Sequence, residues 1–214
     1  MKCVAVSDIH LREVQTPDAD LLLVGGDMTM TGNGSQMTWF ENWLLKQPQK
    51  QKVWIAGNHE MGLEENPMLA PRLAERTDSI YLEDSGVEID GVSIWGSPVT
   101  PWFHDWAFNR QRGDEIRRHW QMIPEGTDIL LVHGPPYGHL DYTIRGEHVG
   151  CSDLIEVLEF ELEYPPQVVV FGHIHFAYGE ELMTRRDGKQ IKFINACSCD
   201  ENYIAVNDPI LFEI

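Results

Sequence analysis

The stretch QVVVFGHIHFAYG, residues 167–179, carries an apolar run that stops at Gly172 and is followed by two histidines, His173 and His175, one residue apart. Short runs of β-branched and aromatic residues bounded by turn formers read as strands. Near-continuous rather than alternating apolarity suggests a strand covered on both faces. The same signature recurs at 3–8, 19–27, 52–59, 79–82, 92–97, 128–134, 191–196 and 209–214. The segments 79–97 and 191–214 read as hairpin-like, the first with an Asp90-Gly91 turn.

Helical spacing falls between several of these runs. Met37, Phe40 and Leu44 predict a helix over 35–47, with Ser35 as its cap; Leu154, Leu158 and Leu162 predict one over 152–163, capped by Ser152. A weaker helix over 66–76 contains Pro71. Strand and helix alternate through the first half, which argues an α/β fold. No Gly-, Ser- or Pro-rich linker divides the chain, so residues 1–214 are expected to form one domain.

The way the runs end is the informative feature. They end in Asp8-Ile9-His10, Gly26-Asp27, Gly57-Asn58-His59, His133-Gly134 and Gly172-His173-Ile174-His175. In open α/β sheets, sites form outside the carboxyl ends of the strands. Residues two apart on an extended chain point the same way. Asp8 with His10, and His173 with His175, are therefore expected to face one cavity. Gly26, Gly57 and Gly172 allow close backbone approach there. One histidine at a strand end is more often a satisfied core group than a ligand. Five such ends are different, because each buried unpaired polar group costs about 1–3 kcal/mol. His, Asp and Asn donors without thiolate suit Mn, Fe, Zn or a similar divalent metal.

The formal charge of −18 argues against general nucleic-acid binding, which needs Lys and Arg to neutralise phosphates. It also repels small anions unless a bound metal supplies local positive charge. The four cysteines form no CxxC pair and are expected to be buried free thiols. The N-terminus does not read as a signal peptide, and no segment has the ~18 apolar residues of a membrane span. The expectation is a soluble cytoplasmic protein without a membrane partner. Nothing in the sequence bears on its oligomeric state.

The ordered blocks D-x-H, G-D, G-N-H-E, H-G and G-H-x-H, from Asp8 to His175, resemble the calcineurin-like metallophosphoesterase superfamily. WGSPVTPWFHDWAFN (95–109), LVHGPPYGHLD (131–141) and FINACSC (193–199) further resemble its small, brain-type, class III phosphodiesterase-like subgroup. The resemblance implies a four-layer α/β/β/α sandwich of two mixed sheets with a two-metal site. Asp8, His10 and His175 would hold one metal, Asn58, His133 and His173 the other, and Asp27 would bridge both. Manganese is the favoured metal. Metal ions about 3.5–4 Å apart can share and acidify one water; the resulting bridging hydroxide would attack phosphorus in line. His59 would stabilise or protonate the leaving group, an effect typically worth ~10²–10⁴-fold.

One position departs from the family. Many members read G-D-x-x-D, and the second carboxylate orients the histidine of G-N-H-E. Here Met30 stands in its place, and its side chain cannot usefully accept from an imidazole. The tautomer of His59 is therefore expected to be less well fixed. His175, which some brain-type members lack, is present.

The resemblance implies a phosphoesterase, with a phosphodiesterase on small cyclic nucleotides as the favoured form. Two alternatives stand beside it: a protein Ser/Thr phosphatase, although the usual D-R-G is replaced by Met30-Thr31-Gly32, and a non-enzymatic metal-binding adaptor, favoured by Met30. Around the site, Trp95, Trp102, Phe103, Trp106 and Phe108 read either as core cover or as the rim of a nucleotide pocket. His104, Asn109 and Arg145, with Asn58 and His59, are the candidate substrate contacts; Arg145 is the candidate phosphate fork.

Overall fold

The computed structural model describes all 214 residues. In chain order the strands are β1 (Lys2–Val6), β2 (Leu21–Val24), β3 (Gln51–Trp54), β4 (Ile80–Tyr81), β5 (Ser85–Ile89), β6 (Val92–Ser97), β7 (Thr100–Pro101), β8 (Asn109–Arg110), β9 (Ile129–Val132), β10 (Val168–Phe171), β11 (Gly179–Thr184), β12 (Gln190–Asn195) and β13 (Ile210–Glu213). The helices are α1 (Gly34–Lys46), α2 (Met61–Glu65), α3 (Leu69–Thr77), α4 (Asp114–Trp120) and α5 (Ser152–Glu156).

Two mixed sheets stack face to face. The first runs β13-β1-β2-β3-β4, parallel except for β13, which is antiparallel to β1. The second runs β11-β12-β10-β9-β6-β5, with β12, β10, β9 and β6 parallel and an antiparallel strand at each edge.

Side-chain alternation makes the layers. Along β1, Cys3 and Ala5 turn inward to meet Ile129, Leu131, Val168 and Val170 of the second sheet. Val4 and Val6 turn outward under Phe40, Trp43 and Leu44 of α1 and Leu73 of α3. On the far side, Leu130, Val132, Val169 and Phe171 pack under Trp120, Leu154 and Leu158. The result is the expected α/β/β/α sandwich. The central strands are apolar on both faces because both faces are covered. Each fully buried Leu or Val contributes about 1.5–3 kcal/mol relative to exposure.

Several local expectations are corrected. Asn33, not Ser35, caps α1, its side chain accepting from the Gln36 amide at 3.2 Å. Cys151, not Ser152, precedes α5, with no side-chain cap. The 152–163 helix widens into a π turn over Val157–Glu161. Arg185 closes its end, Nη1 donating to the carbonyls of Leu158 and Leu162 at 2.8 and 3.0 Å. Pro71 lies in the first turn of α3, where a missing N–H costs no helical bond. Of the 79–97 segment only 85–97 is a hairpin, with Asp90 and Gly91 both at positive φ (50° and 83°), whereas Ile80–Tyr81 joins the other sheet beside β3. The 191–214 segment is not a hairpin, since β12 and β13 belong to different sheets.

Candidate metal centre

Five parallel strands end at one edge of the sandwich: β1, β2 and β3 from the first sheet, β9 and β10 from the second. The chain turns sharply just beyond these ends. Asp8 (φ 50°), His10 (41°), Asp27 (51°) and His173 (67°) all occupy the left-handed region. Such conformations cost of order 1–3 kcal/mol each and concentrate at functional sites. The extended-chain argument for Asp8/His10 and His173/His175 therefore fails in detail. Left-handed kinks, not pleating, turn the polar residues outward and bury Ile9 and Ile174 between them. Gly57 and Gly172 are needed here: a Cβ on Gly57 would overlap Asp27 Oδ1, and one on Gly172 would overlap Asp8 Oδ2 and Ser7 Oγ.

Three groups of ligand-type atoms result: Asp8, His10 and His175; Asp27, His133 and His173; and His10, Asp27 and His59. Within each group the ligand atoms lie within 4.8 Å of one another. Asn58 joins the second group, with Oδ1 2.9 Å from His133 Nε2.

The imidazoles are set by main-chain carbonyls. Nδ1 of His10 lies 3.0 Å from Thr29 O, that of His59 2.8 Å from Met30 O, that of His133 2.8 Å from Gly25 O and that of His175 2.8 Å from Asp200 O. Each Nδ1–H donates to its carbonyl, so each neutral ring turns an Nε2 lone pair into the site. His10 Nε2 then lies 3.2 Å from His175 Nε2, and His175 Nε2 lies 3.2 Å from Asp8 Oδ1. Acceptors face acceptors. Such a set is satisfied by a cation or by extra protons.

The carboxylates are divided in the same way. Asp8 Oδ2 accepts from Ser7 Oγ (2.6 Å), the His173 amide (2.9 Å) and Cys197 Sγ (3.2 Å), leaving Oδ1 for the site. Asp27 Oδ1 accepts from the His59 amide at 2.8 Å, and Oδ2 lies 3.4 Å from His133 Nε2. Burial opposes charge on His133, yet Asp27 and Asp8 raise it to about 9. Burial also opposes charge on His175, yet Asp8 raises it to about 9. His173 is pushed down to about 4 by burial and by His133. Burial also lowers His10. Protons thus occupy, in part, the place of a cation, and the donor set fits a divalent metal.

Met30 resolves differently from expectation. Its carbonyl, not its side chain, is what His59 Nδ1 meets, and this contact fixes the tautomer. Glu60, unplaced by the sequence, is fully buried beneath the site. It accepts from the amides of Asp27, Thr29 and Gly57 and from Thr29 Oγ1 at 2.8–2.9 Å. Burial and Asp27 push it up to about 8, against those four bonds, which favour the carboxylate.

The open face of the site is a cavity of about 130 Å³, lined by Asp27, Asn58, His59, His173 and His175 together with Phe103, Glu201 and Tyr203. Sequence reasoning missed the last two. Tyr203 sits at φ 59° with its carbonyl held by Arg12 Nε at 2.7 Å, and its ring meets His10 edge-on at 4.6 Å. Its hydroxyl makes no hydrogen bond within the chain. The only sequence signal was its nearness to the C-S-C block.

The candidate substrate contacts divide. Asn58 and His59 line the cavity; His104 and Arg145 do not. Arg145 stands on the exposed Thr143–Glu147 turn. Asn109 is consumed within its loop, accepting from Thr100 Oγ1 and donating to the carbonyls of Phe103 and His104. It is not free for phosphate. The aromatic loop also divides: Trp95 and Phe108 are core, Trp106 packs on His59 at 4.4 Å, and Trp102 and Phe103 are exposed. All four cysteines are buried and unpaired.

A two-sheet sandwich with clustered His and Asp at its strand ends defines a metallophosphoesterase-type fold. The profile of the calcineurin-like phosphoesterase family matches residues 1–177, and the chain belongs to that family of metal-dependent phosphoester hydrolases. Human Metallophosphoesterase domain-containing protein 1 is 38% identical over 235 residues, covering 99% of this chain and 70% of its own. A UPF0046 protein of Caenorhabditis elegans is 32% identical over 228 residues, covering 100% of this chain and 75% of its own. Among solved structures, TT1561 of Thermus thermophilus shares the fold at TM-score 0.61 and 12% identity, over 90% of this chain and 88% of its own.

Proposed function

We propose that this chain is a binuclear, manganese-favouring phosphodiesterase acting on small nucleotides, cyclic mononucleotides among them. The carrying observation is the convergence of Nε2 lone pairs and carboxylate oxygens upon one another at the strand ends. Asp8, His10 and His175 would hold one ion, and Asn58, His133 and His173 the other, with Asp27 between them. When bound, the pair supplies Lewis acidity toward the phosphate and acidifies water.

The chain's own groups do the rest. His59 keeps Nδ1–H on the Met30 carbonyl, so only Nε2 addresses the cavity. In its protonated form it delivers Nε2–H to the leaving oxygen. The Asn58 amide nitrogen remains available to a phosphate oxygen once Oδ1 faces the metal. Tyr203 offers a phenolic donor at the rim.

Charge supports a diester over a monoester. Neither Lys nor Arg is among the eight residues lining the cavity, whereas Glu201 is. A phosphodiester carries one negative charge and a monoester nearly two near neutrality, so the dianion meets more repulsion. The same argument disfavours a protein Ser/Thr phosphatase. The adaptor reading rested on Met30, and the hydrogen bond to its carbonyl removes that support. The partner is a small phosphoester; the −18 charge stands against general nucleic-acid binding. No helix is long and apolar enough to cross a membrane. Four unpaired buried thiols support a reducing compartment, the cytoplasm by default.

The test is hydrolysis of bis-p-nitrophenyl phosphate by Mn²⁺-loaded protein beside p-nitrophenyl phosphate. The diester should turn over faster, and Asp27→Ala should lower its rate at least ~10³-fold, the scale of losing a principal electrostatic element. Activity that survives both Asp27→Ala and chelation would overturn the reading.

A further inference from the structure

A second cavity, of about 320 Å³, opens beside the metal cavity, and Phe103 and His173 stand in the walls of both. The two differ in chemistry. The first is lined by carboxylates, imidazoles and an amide, with two aromatic rings at its rim. The second is walled chiefly by Trp102, Phe103, Pro135, Val149 and Ile174, with no carboxylate among its lining residues. Trp102 is 49% exposed and Phe103 40%, side by side at its mouth. Large aromatic surface left open next to a charged centre marks a place where something flat and apolar can be covered.

Arg112 and Thr143 also line this cavity. Arg112 donates from Nη1 to the Gly150 carbonyl at 2.8 Å and from Nη2 to the Val149 carbonyl at 2.7 Å. Two of the five guanidinium N–H groups are thereby engaged on the loop. Thr143 Oγ1 accepts from the amides of Arg145 and Glu147 at 3.3 Å each, so its hydrogen is left to donate. The cavity therefore offers apolar faces, a hydroxyl donor and the edge of a guanidinium, a combination suited to a ring bearing acceptor atoms.

We propose that this cavity holds the organic arm of the phosphoester while the phosphate lies at the metal centre, and that the arm is a flat aromatic group of nucleobase or aryl type. The proposal rests on the phosphodiesterase reading above; it adds where the arm lies and which residues select it. The volume is at the small end of the ~300–1,000 Å³ range of small-molecule pockets. That admits one ring system with its linker and excludes a folded phosphoprotein loop. Division of labour follows: the polar cavity takes the charged atoms common to every phosphoester, and the apolar one discriminates among them.

Calorimetric binding to Mn²⁺-loaded protein tests this without turnover, with three product-like probes: methyl phosphate, phenyl phosphate and adenosine 5′-monophosphate. The wild type should bind the two aromatic probes roughly tenfold or more tightly than methyl phosphate, the scale of one ring stacked on an aromatic side chain. Trp102→Ala and the space-filling Val149→Trp should each erase that preference and leave methyl phosphate affinity unchanged. Trp102 is exposed, so its replacement leaves the core intact. Equal affinity for all three probes in the wild type, or an undiminished preference in both variants, overturns the proposal while the metal reading stands. Failure of every probe to bind metal-loaded protein overturns both. Tighter binding of the adenosine probe than the phenyl probe assigns the arm to a nucleoside; parity assigns it to the ring alone.

Discussion

The two halves of the metal centre hold their histidines by different means. In the half formed by Asp8, His10 and His175, both imidazoles donate to main-chain carbonyls. Its carboxylate is tied down by a hydroxyl, an amide and a thiol. In the other half, His133 is equally fixed, but the His173 ring makes no hydrogen bond. It rests edge-on against His133 at 5.0 Å and Phe103 at 5.4 Å. One group is fastened throughout; in the other, His173 alone leans on the loop that borders the second cavity. The lesson is that the one imidazole of the centre without a hydrogen bond is the one standing in the walls of both cavities.

The largest effects come from removing one fixed histidine from each group, which separates ligand loss from packing loss. His133 is fully buried, against Gly26 and Gly57, whereas His175 is 11% exposed on a single 3₁₀ turn. Both His133→Ala and His175→Ala should lower bound metal from two ions to one. His133→Ala should in addition cost ~2–4 kcal/mol of metal-free stability, as large-to-small changes in packed interiors do, and His175→Ala much less. Metal titration with denaturant unfolding separates the two effects. Equal destabilisation would mean that burial does not distinguish these two histidines.

Acid–base behaviour gives the next largest effect. Each half contains one imidazole raised to about 9, His175 or His133, and one lowered, His10 or His173. For a raised histidine, the stability it contributes is fully present below its ordinary value of about 6.5 and is lost as pH rises through about 9. For His173, held down to about 4, stability falls as pH drops from about 6.5 toward 4. Metal-free protein should therefore be most stable near pH 6.5 and lose melting temperature on either side. Loading at pH 7 should also expel about two protons, one per half, measurable by calorimetry in buffers of different ionisation enthalpy. A flat profile with no proton release would mean that the imidazoles are already neutral.

The smallest effect belongs to Met30→Ala. Because the carbonyl and not the thioether holds His59, kcat should change by less than about twofold, within the ~0.5 kcal/mol typical of replacements away from special contacts. A large loss would assign the side chain a part that its position does not suggest.

How much of this was readable in advance varies with the kind of information. The strand-end donors were legible because buried parallel strands are continuous apolar runs, and Gly, Asp, Asn and His interrupt them visibly. The sheet membership of 191–214 was not: alternation and turn residues say that strands exist, not which neighbours they choose. β11 escaped notice as an edge strand with half its residues exposed, Leu182 at 58%. The fixing of His59 was illegible for a deeper reason. Sequence displays side chains, and the acceptor that replaced a missing carboxylate is a main-chain oxygen that any residue at position 30 except one that bends the chain would supply. Asn109 misled for the converse reason: an amide among aromatic residues looks available until the loop that consumes it is seen.

The family profile ends at residue 177, yet Asp200 aims His175, Cys197 steadies Asp8, and Tyr203 roofs the site. The candidate ligands thus lie within the profile and part of their alignment lies beyond it, in a stretch that the full-length relatives also cover. An exchange of residues 196–204 between homologues, which touches none of the candidate ligands, measures how much of the metal affinity this stretch sets.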